Sequence, residues 1–121
     1  MDKKRILLID DEPSFTRMLR LNLERTGTYE VREENRGAQG LAAAREFKPD
    51  LILLDVIMPD ADGGTVAAQI KADQSLKNTP VVFLTAVVTK KEEGVIGGRP
   101  FIAKPVSANE VIGCIEKHLA R

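Results

Sequence analysis

A short apolar run that ends on a carboxylate constrains the fold of this chain more than any other feature. Leu51 to Leu54 read L-I-L-L, and Asp55 follows directly. A continuous apolar run bounded by turn-forming residues is typical of a strand buried on both faces of a parallel sheet. Pro59 and Gly63 prevent the strand from continuing, because proline lacks a backbone donor and glycine permits a turn. We therefore expect Asp55 at the carboxyl end of a central strand, where open α/β sheets bind ligands. A helix cap or an Asx turn is the alternative explanation for this residue.

Three further apolar runs also end on polar residues. They are Arg5 to Ile9 before Asp10 and Asp11, Pro80 to Leu84 before Thr85, and Phe101 to Ala103 before Lys104. A more polar segment, Tyr29 to Glu33, is expected to form a strand at the sheet edge.

Helical patterns separate these runs. They cover Pro13 to Gly27, with Phe15, Met18, Leu19 and Leu23 on one face, then Arg36 to Phe47, Thr65 to Ala72 and Ser107 to Leu119. A fourth of five helices, expected between Thr85 and Phe101, should be short because Gly94, Gly97 and Gly98 interrupt it. The alternation predicts an α/β, flavodoxin-like doubly wound fold with five parallel strands in the order 2-1-3-4-5.

Length and composition favour one domain, residues 1–121, expected in the cytoplasm. The longest apolar runs are too short to cross a bilayer, and the start does not read as a signal peptide. The 18 basic and 18 acidic residues balance, so no net charge attracts nucleic acid or an anionic membrane surface. The single cysteine, Cys114, provides neither an internal disulfide nor a zinc set.

The polar residues at the strand ends predict one site. In the proposed strand order, Asp10, Asp11, Asp55, Thr85 and Lys104 converge on the same edge of the sheet. Three clustered carboxylates repel one another, so that one stays protonated unless a cation intervenes. Oxygen ligands with room for water favour Mg²⁺. A carboxylate beside a metal ion, an ammonium and a hydroxyl indicates phosphoryl transfer.

The sequence resembles the receiver domain of bacterial response regulators over essentially its whole length. The matching segments are I-L-L-I-D-D-E-P, D-L-I-L-L-D-V-I-M-P-D-A-D-G, V-V-F-L-T-A and F-I-A-K-P-V. The resemblance implies a signalling domain and not an enzyme.

The same resemblance implies a role for each residue of the site. Asp55 would accept the phosphoryl group, Asp11 would bind Mg²⁺ directly, Asp10 would help through water, and the backbone carbonyl of Ile57 would be a further ligand. Thr85 would be the switch hydroxyl, Lys104 would bind the phosphate, and Phe101 would be the switch aromatic. The Lys104–Pro105 peptide bond would be cis.

The resemblance also implies partners. A histidine kinase or phosphotransfer protein would donate the phosphoryl group, and an effector would bind the fourth helix, fifth strand and fifth helix. Phosphorylation-dependent dimerisation is possible in this class, whereas direct nucleic-acid or membrane binding is not expected. The sequence does not indicate which process the domain would control. It fits either a stand-alone regulator or a domain of a longer chain.

Two alternatives are a degenerate receiver that binds partners without phosphorylation and a phosphatase of the haloacid-dehalogenase type. The complete acid set with Thr85 and Lys104 disfavours the first. The second expects D-x-D after the first strand, which Asp10-Asp11-Glu12 does not provide.

Some positions depart from the family pattern. Glu34 and Gly40 replace small residues or alanine, and I-G-G-R-P precedes Phe101. Ile57 and Val87, each two positions after a site residue, are aliphatic and cannot orient water, which predicts slow self-dephosphorylation.

Overall fold

The computed structural model describes residues 2–86 and 99–119, and within them five strands form one sheet. The strands are β1 (Lys4–Ile9), β2 (Tyr29–Glu34), β3 (Leu51–Asp55), β4 (Val81–Thr85) and β5 (Phe101–Ala103). All pairings are parallel and the order is β2-β1-β3-β4-β5, which confirms the predicted topology. The polar strand β2 lies at an edge, as expected.

Four α-helices lie within the described residues: α1 (Pro13–Glu24), α2 (Gly40–Phe47), α3 (Gly63–Ala72) and α4 (Ala108–Leu119). Helix α4 is the fifth helix of the sequence prediction. The predicted short fourth helix, and with it Val87, falls outside the described residues. None of the described helices has the length and apolar character that crossing a membrane requires.

The helices cover both faces of the sheet because side chains alternate along each strand. In β1, Leu7 and Ile9 belong to the core cluster under α2 and α3. Ile6 and Leu8 point to the opposite cluster, which is closed by α1 and α4. Strand β3 is fully buried along its length, which is why its sequence is continuously apolar.

The prediction that Met18 lies on the buried face of α1 is wrong, because Met18 is 45% exposed. Thr16 is buried in its place, together with Leu19 and Leu23. The Thr16 hydroxyl donates to Glu33 Oε1 at 2.7 Å and accepts from Asn35 Nδ2 at 3.0 Å. Because those partners satisfy the hydroxyl, a polar residue can occupy the inner face.

Two helix starts also differ from the sequence prediction. Residues Gly37–Gln39 form a 3₁₀ turn, so α2 begins only at Gly40. Helix α3 begins at Gly63 and is capped by Asp62, whose carboxylate accepts from the Gly64 amide at 2.8 Å. Gly63 is needed for close approach and not for a turn, since a Cβ there would lie 2.3 Å from the Asp55 carbonyl oxygen.

Candidate functional site

Three carboxylates meet where β1 and β3 end. Asp10 follows β1, Asp55 is the last residue of β3, and the two strands pair with Ile9 beside Leu54. Carboxylate oxygens of Asp10, Asp11 and Asp55 all lie within 4.8 Å of one another. Asp10 and Asp55 are buried, while Asp11 is half-buried and lines the cleft above them. The parallel strand order thus brings together residues that are 45 positions apart in the chain.

The cluster has too much negative charge for its degree of burial. Burial first, and then the charge of Asp10, raises the pKa of Asp55 from 3.8 to about 7, with Lys104 opposing the shift. A hydrogen bond with Asp11 favours the protonated form of Asp55 further. Burial also raises the pKa of Asp10, although Lys104 and the Glu12 amide both stabilise its ionised form. The site therefore takes up a proton or a cation near neutral pH.

Lys104 is the cation nearest to these acids among the described residues. Its Nζ atom lies 2.6 Å from Asp10 Oδ2 and 3.5 Å from Glu12 Oε1. It also lies 4.6 Å from the centroid of the Phe15 ring. Burial lowers the pKa of Lys104, but the hydrogen bond and charge of Asp10 outweigh burial and raise it overall. The ammonium thus stays charged and is held on the α1 side of the cleft.

Thr85 completes the group at the end of β4. It is 2% exposed, and its carbonyl oxygen accepts from the Lys104 amide at 2.6 Å. Together with Asp11, Asp55, Ile57 and Lys104, it lines a cleft of about 310 Å³. Ile57 stands at the lip of this cleft and is 66% exposed. Four of the predicted strand-end residues, Asp11, Asp55, Thr85 and Lys104, therefore line one cleft. Asp10 does not line it, but its buried carboxylate contacts Lys104.

Phe101, the predicted switch aromatic, lies away from the cleft. It is the first residue of β5, at the end of the strand opposite Lys104, and it is 45% exposed. It does not line the cleft. The Lys104–Pro105 peptide bond that follows β5 is cis.

The donor set fits a divalent cation. The cluster offers carboxylate oxygens without the nitrogen or sulfur ligands that zinc and copper favour. The raised pKa of Asp55 shows that the ionised cluster lacks a compensating positive charge despite Lys104. A hard cation with oxygen ligands would supply that charge.

Three residues of the site were missed in the sequence. Glu12 and Phe15 contact Lys104, and Asn35 Nδ2 donates to the backbone carbonyl of Asp10 at 2.8 Å. Glu12 follows the acidic pair directly, so its proximity to the site could have been predicted. Phe15 matched the helical core pattern, and Asn35 stands after an edge strand; neither position carries a local signal of its role.

Comparison with known proteins identifies the family. The family model described as response regulator receiver domain matches residues 6–116. The chain is 35% identical over 120 residues to the DNA-binding dual master transcriptional regulator RpaA of Synechocystis sp., covering 97% of this chain and 49% of RpaA. It thus spans about half the length of that relative. The polar-differentiation response regulator DivK of Brucella anthropi is 33% identical over 119 residues, covering 96% of each chain.

A solved structure shows the same fold. The chemotaxis protein CheY4 of Vibrio cholerae superposes with a TM-score of 0.87 at 26% identity, covering 98% of this chain and 100% of CheY4. The family model extends from β1 into α4 and includes every site residue described above. The chain belongs to the response regulator receiver domain family of two-component signalling.

Proposed function

We propose that this domain accepts a phosphoryl group on Asp55, in a Mg²⁺-dependent reaction, from a histidine kinase or a phosphotransfer protein. The observation that supports the proposal is the cleft in which Asp55, two further carboxylates, Thr85 and Lys104 converge. The modification would change the affinity of the domain for its partners. The family to which the chain belongs has this signalling role.

Asp55 is the nucleophile in this reaction. One of its carboxylate oxygens forms a bond to phosphorus while the bond between phosphorus and the donor nitrogen breaks, and the histidine imidazole leaves. The oxygen must be ionised to attack, yet the pKa of Asp55 is raised to about 7. At a pKa of about 7 only part of Asp55 is ionised at neutral pH, and positive charge added near its carboxylate would increase that reactive fraction.

Asp10, Asp11 and the backbone carbonyl of Ile57 are the proposed ligands of the metal ion, with Asp55 as a further ligand. Magnesium, when bound, neutralises the clustered carboxylates and the charge of the phosphoryl oxygens. Asn35 fixes the Asp10 backbone through its 2.8 Å hydrogen bond, so it helps to hold the acidic pair in place.

Lys104 and Thr85 act on the transferred group. The ammonium of Lys104 is a compact charge that can pair with a phosphoryl oxygen, and it already lies close enough to Asp55 for their charges to affect each other's pKa. The Thr85 hydroxyl can donate to another phosphoryl oxygen. Thr85 is the last residue of β4 and Lys104 directly follows β5, and the pairing of these adjacent strands fixes their spacing.

The output surface is proposed to include β5 and α4, together with the segment between β4 and β5. The half-exposed ring of Phe101 on the edge strand β5 supports this assignment, since it can change position without unpacking the core. Movement of Thr85 toward the phosphoryl group would reach Phe101 through the paired strands β4 and β5. An effector, or a second copy of the domain after phosphorylation, would bind there, and the domain would act in the cytoplasm.

Labelling with acetyl phosphate tests the proposal without a partner protein. We expect a Mg²⁺-dependent mobility shift on a phosphate-affinity gel, which disappears when EDTA removes the metal. The shift should be absent in Asp55→Asn and unchanged in Asp2→Asn, a matched change at an exposed position. Beryllofluoride binding should follow the same pattern. Labelling that persists in Asp55→Asn would place the acceptor elsewhere and overturn the proposal.

A further inference from the structure

Lys104 has an aromatic partner that the phosphoryl-transfer chemistry does not explain. Its Nζ lies 4.6 Å from the centroid of the Phe15 ring, within the range in which a cation interacts with the negative face of an aromatic ring. Phe15 belongs to the first turn of α1 and is half-buried. Only 13% of the Lys104 side chain is exposed, so water does not fully screen this interaction.

The Phe15 ring lies outside the acidic cleft. Lys104 and Glu12 line both the acidic cleft and a neighbouring concavity that also contains Phe15, Met18 and Val106. The lysine side chain thus forms part of the wall between the two. Of these two concavities Phe15 lines only the second, and its contact with the site described here is with the Lys104 ammonium.

A lysine at this position needs such a restraint. Its four-carbon chain has many rotamers, and ordering it loses side-chain entropy. The contact with Asp10 at 2.6 Å holds the ammonium before reaction, but that carboxylate is also a proposed ligand of the metal ion. A partner that is not itself a metal ligand can keep the ammonium beside the cleft when Asp10 turns to the metal.

We propose that Phe15 is a positioning residue, which holds the Lys104 ammonium at the edge of the cleft through the face of its aromatic ring. The inference rests on the proposed function, because it assigns to Lys104 a contact with the phosphoryl group. Phe15 does not touch that group; it limits where Lys104 can go. The ring also packs against the core cluster under α1. The test must therefore distinguish the interaction of the aromatic face with Lys104 from the effect of losing side-chain volume.

Small-molecule phosphorylation isolates this role from any docking of a kinase on α1. With saturating Mg²⁺ and acetyl phosphate, Phe15→Leu should lower the rate of labelling about fivefold, the effect expected from the loss of one partly buried cation–π contact. Phe15→Tyr keeps the ring face and should stay within about twofold of the wild type. Leu21→Met, an apolar change at an exposed position of the same helix outside that concavity, should leave the rate unaltered.

A spectroscopic measurement tests the contact between Lys104 and Phe15 directly in the wild-type domain. The ε-methylene protons of Lys104 should resonate upfield of the other lysines because they lie near an aromatic ring, and Lys104→Arg identifies the signal. Phe15→Leu should remove the upfield shift and Phe15→Tyr should keep it. A Lys104 signal at the ordinary lysine position in the wild type would overturn the inference.

The two proposals fail in distinguishable ways. If the wild-type domain is not labelled at Asp55, the proposed function fails, whereas the lysine spectrum still tests the contact with Phe15. If the wild type is labelled and Phe15→Leu reacts as fast, or if Phe15→Tyr is as slow as Phe15→Leu, the ring face has no positioning role.

Discussion

Replacing Asp55 with asparagine should stabilise the unphosphorylated domain above neutral pH and leave its stability unchanged in acid. Burial and the charge of Asp10 raise the pKa of Asp55 from 3.8 to about 7 in the folded state. The unfolded chain therefore releases this proton near pH 4, whereas the folded domain keeps it until about pH 7. Between those values the free energy of unfolding falls as pH rises, and above them the loss is complete.

The magnitude follows from the same pKa values. A pKa change from 3.8 to about 7 corresponds to a free energy of about 4 kcal/mol. Water in the open cleft and rearrangement of the neighbouring side chains should reduce this to about 2 kcal/mol. Asparagine carries no charge, and its amide can donate to Asp11 as the protonated carboxyl of Asp55 does. The variant should thus avoid the penalty without losing that contact.

Urea unfolding in EDTA measures the effect. At about pH 8 the free energy of unfolding should be about 2 kcal/mol higher for Asp55→Asn than for the wild type, and at about pH 4 the two should agree. Asp2→Asn, at an exposed position, should show no difference at either pH. Adding Mg²⁺ at the higher pH should stabilise the wild type more than Asp55→Asn. If Asp55→Asn raised the free energy of unfolding equally at both pH values, or not at all at the higher pH, the electrostatic explanation would be refuted.

Three other variants test particular positions. Gly63→Ala should lower the free energy of unfolding by about 3 kcal/mol, because the new Cβ would lie 2.3 Å from the Asp55 carbonyl oxygen; urea unfolding checks this. Gly113→Ala is its counterpart in open space on α4 and should raise stability by up to about 1 kcal/mol. Combining Ile57→Asn with Val87→Glu should speed loss of the phosphoryl group several-fold, measured by decay of the labelled form, since polar groups there would orient water. An unchanged decay rate would remove the proposed role of these aliphatic residues.

Most of the fold was predictable because burial dictates the pattern of the strands. A strand covered on both faces, such as β3, has to be apolar throughout, so Leu51 to Leu54 identify it directly. The convergence of the polar strand ends then follows from the parallel topology. The expectation that three carboxylates could not all be ionised without a cation agrees with the raised pKa of Asp55.

The details of the site depended on packing that no local pattern records. Helical spacing favoured Met18 on the inner face of α1, but the hydrogen bonds of Thr16 to Glu33 and Asn35 placed Thr16 there. The partner of Lys104 is Asp10 rather than Asp11 in the structure, and this choice depends on which carboxylate is buried. Phe15 has an ordinary core signature, so its contact with Lys104 becomes visible only once α1 is docked on the sheet.

The ion pair between Asp10 and Lys104 joins residues 94 positions apart, close to the two ends of the described chain. Its members, like Asp55 and Thr85, lie at the carboxyl ends of strands, and the four residues belong to four separate strand ends. No fragment that lacks the first or the last of these strands can assemble the cleft, however well the rest of it folds. The proposed metal ligands lie at the ends of β1 and β3, so occupancy of the site by a metal ion reports on the pairing of these two strands. Loss of β5 would displace Lys104 from Asp10 while leaving Asp55 chemically intact.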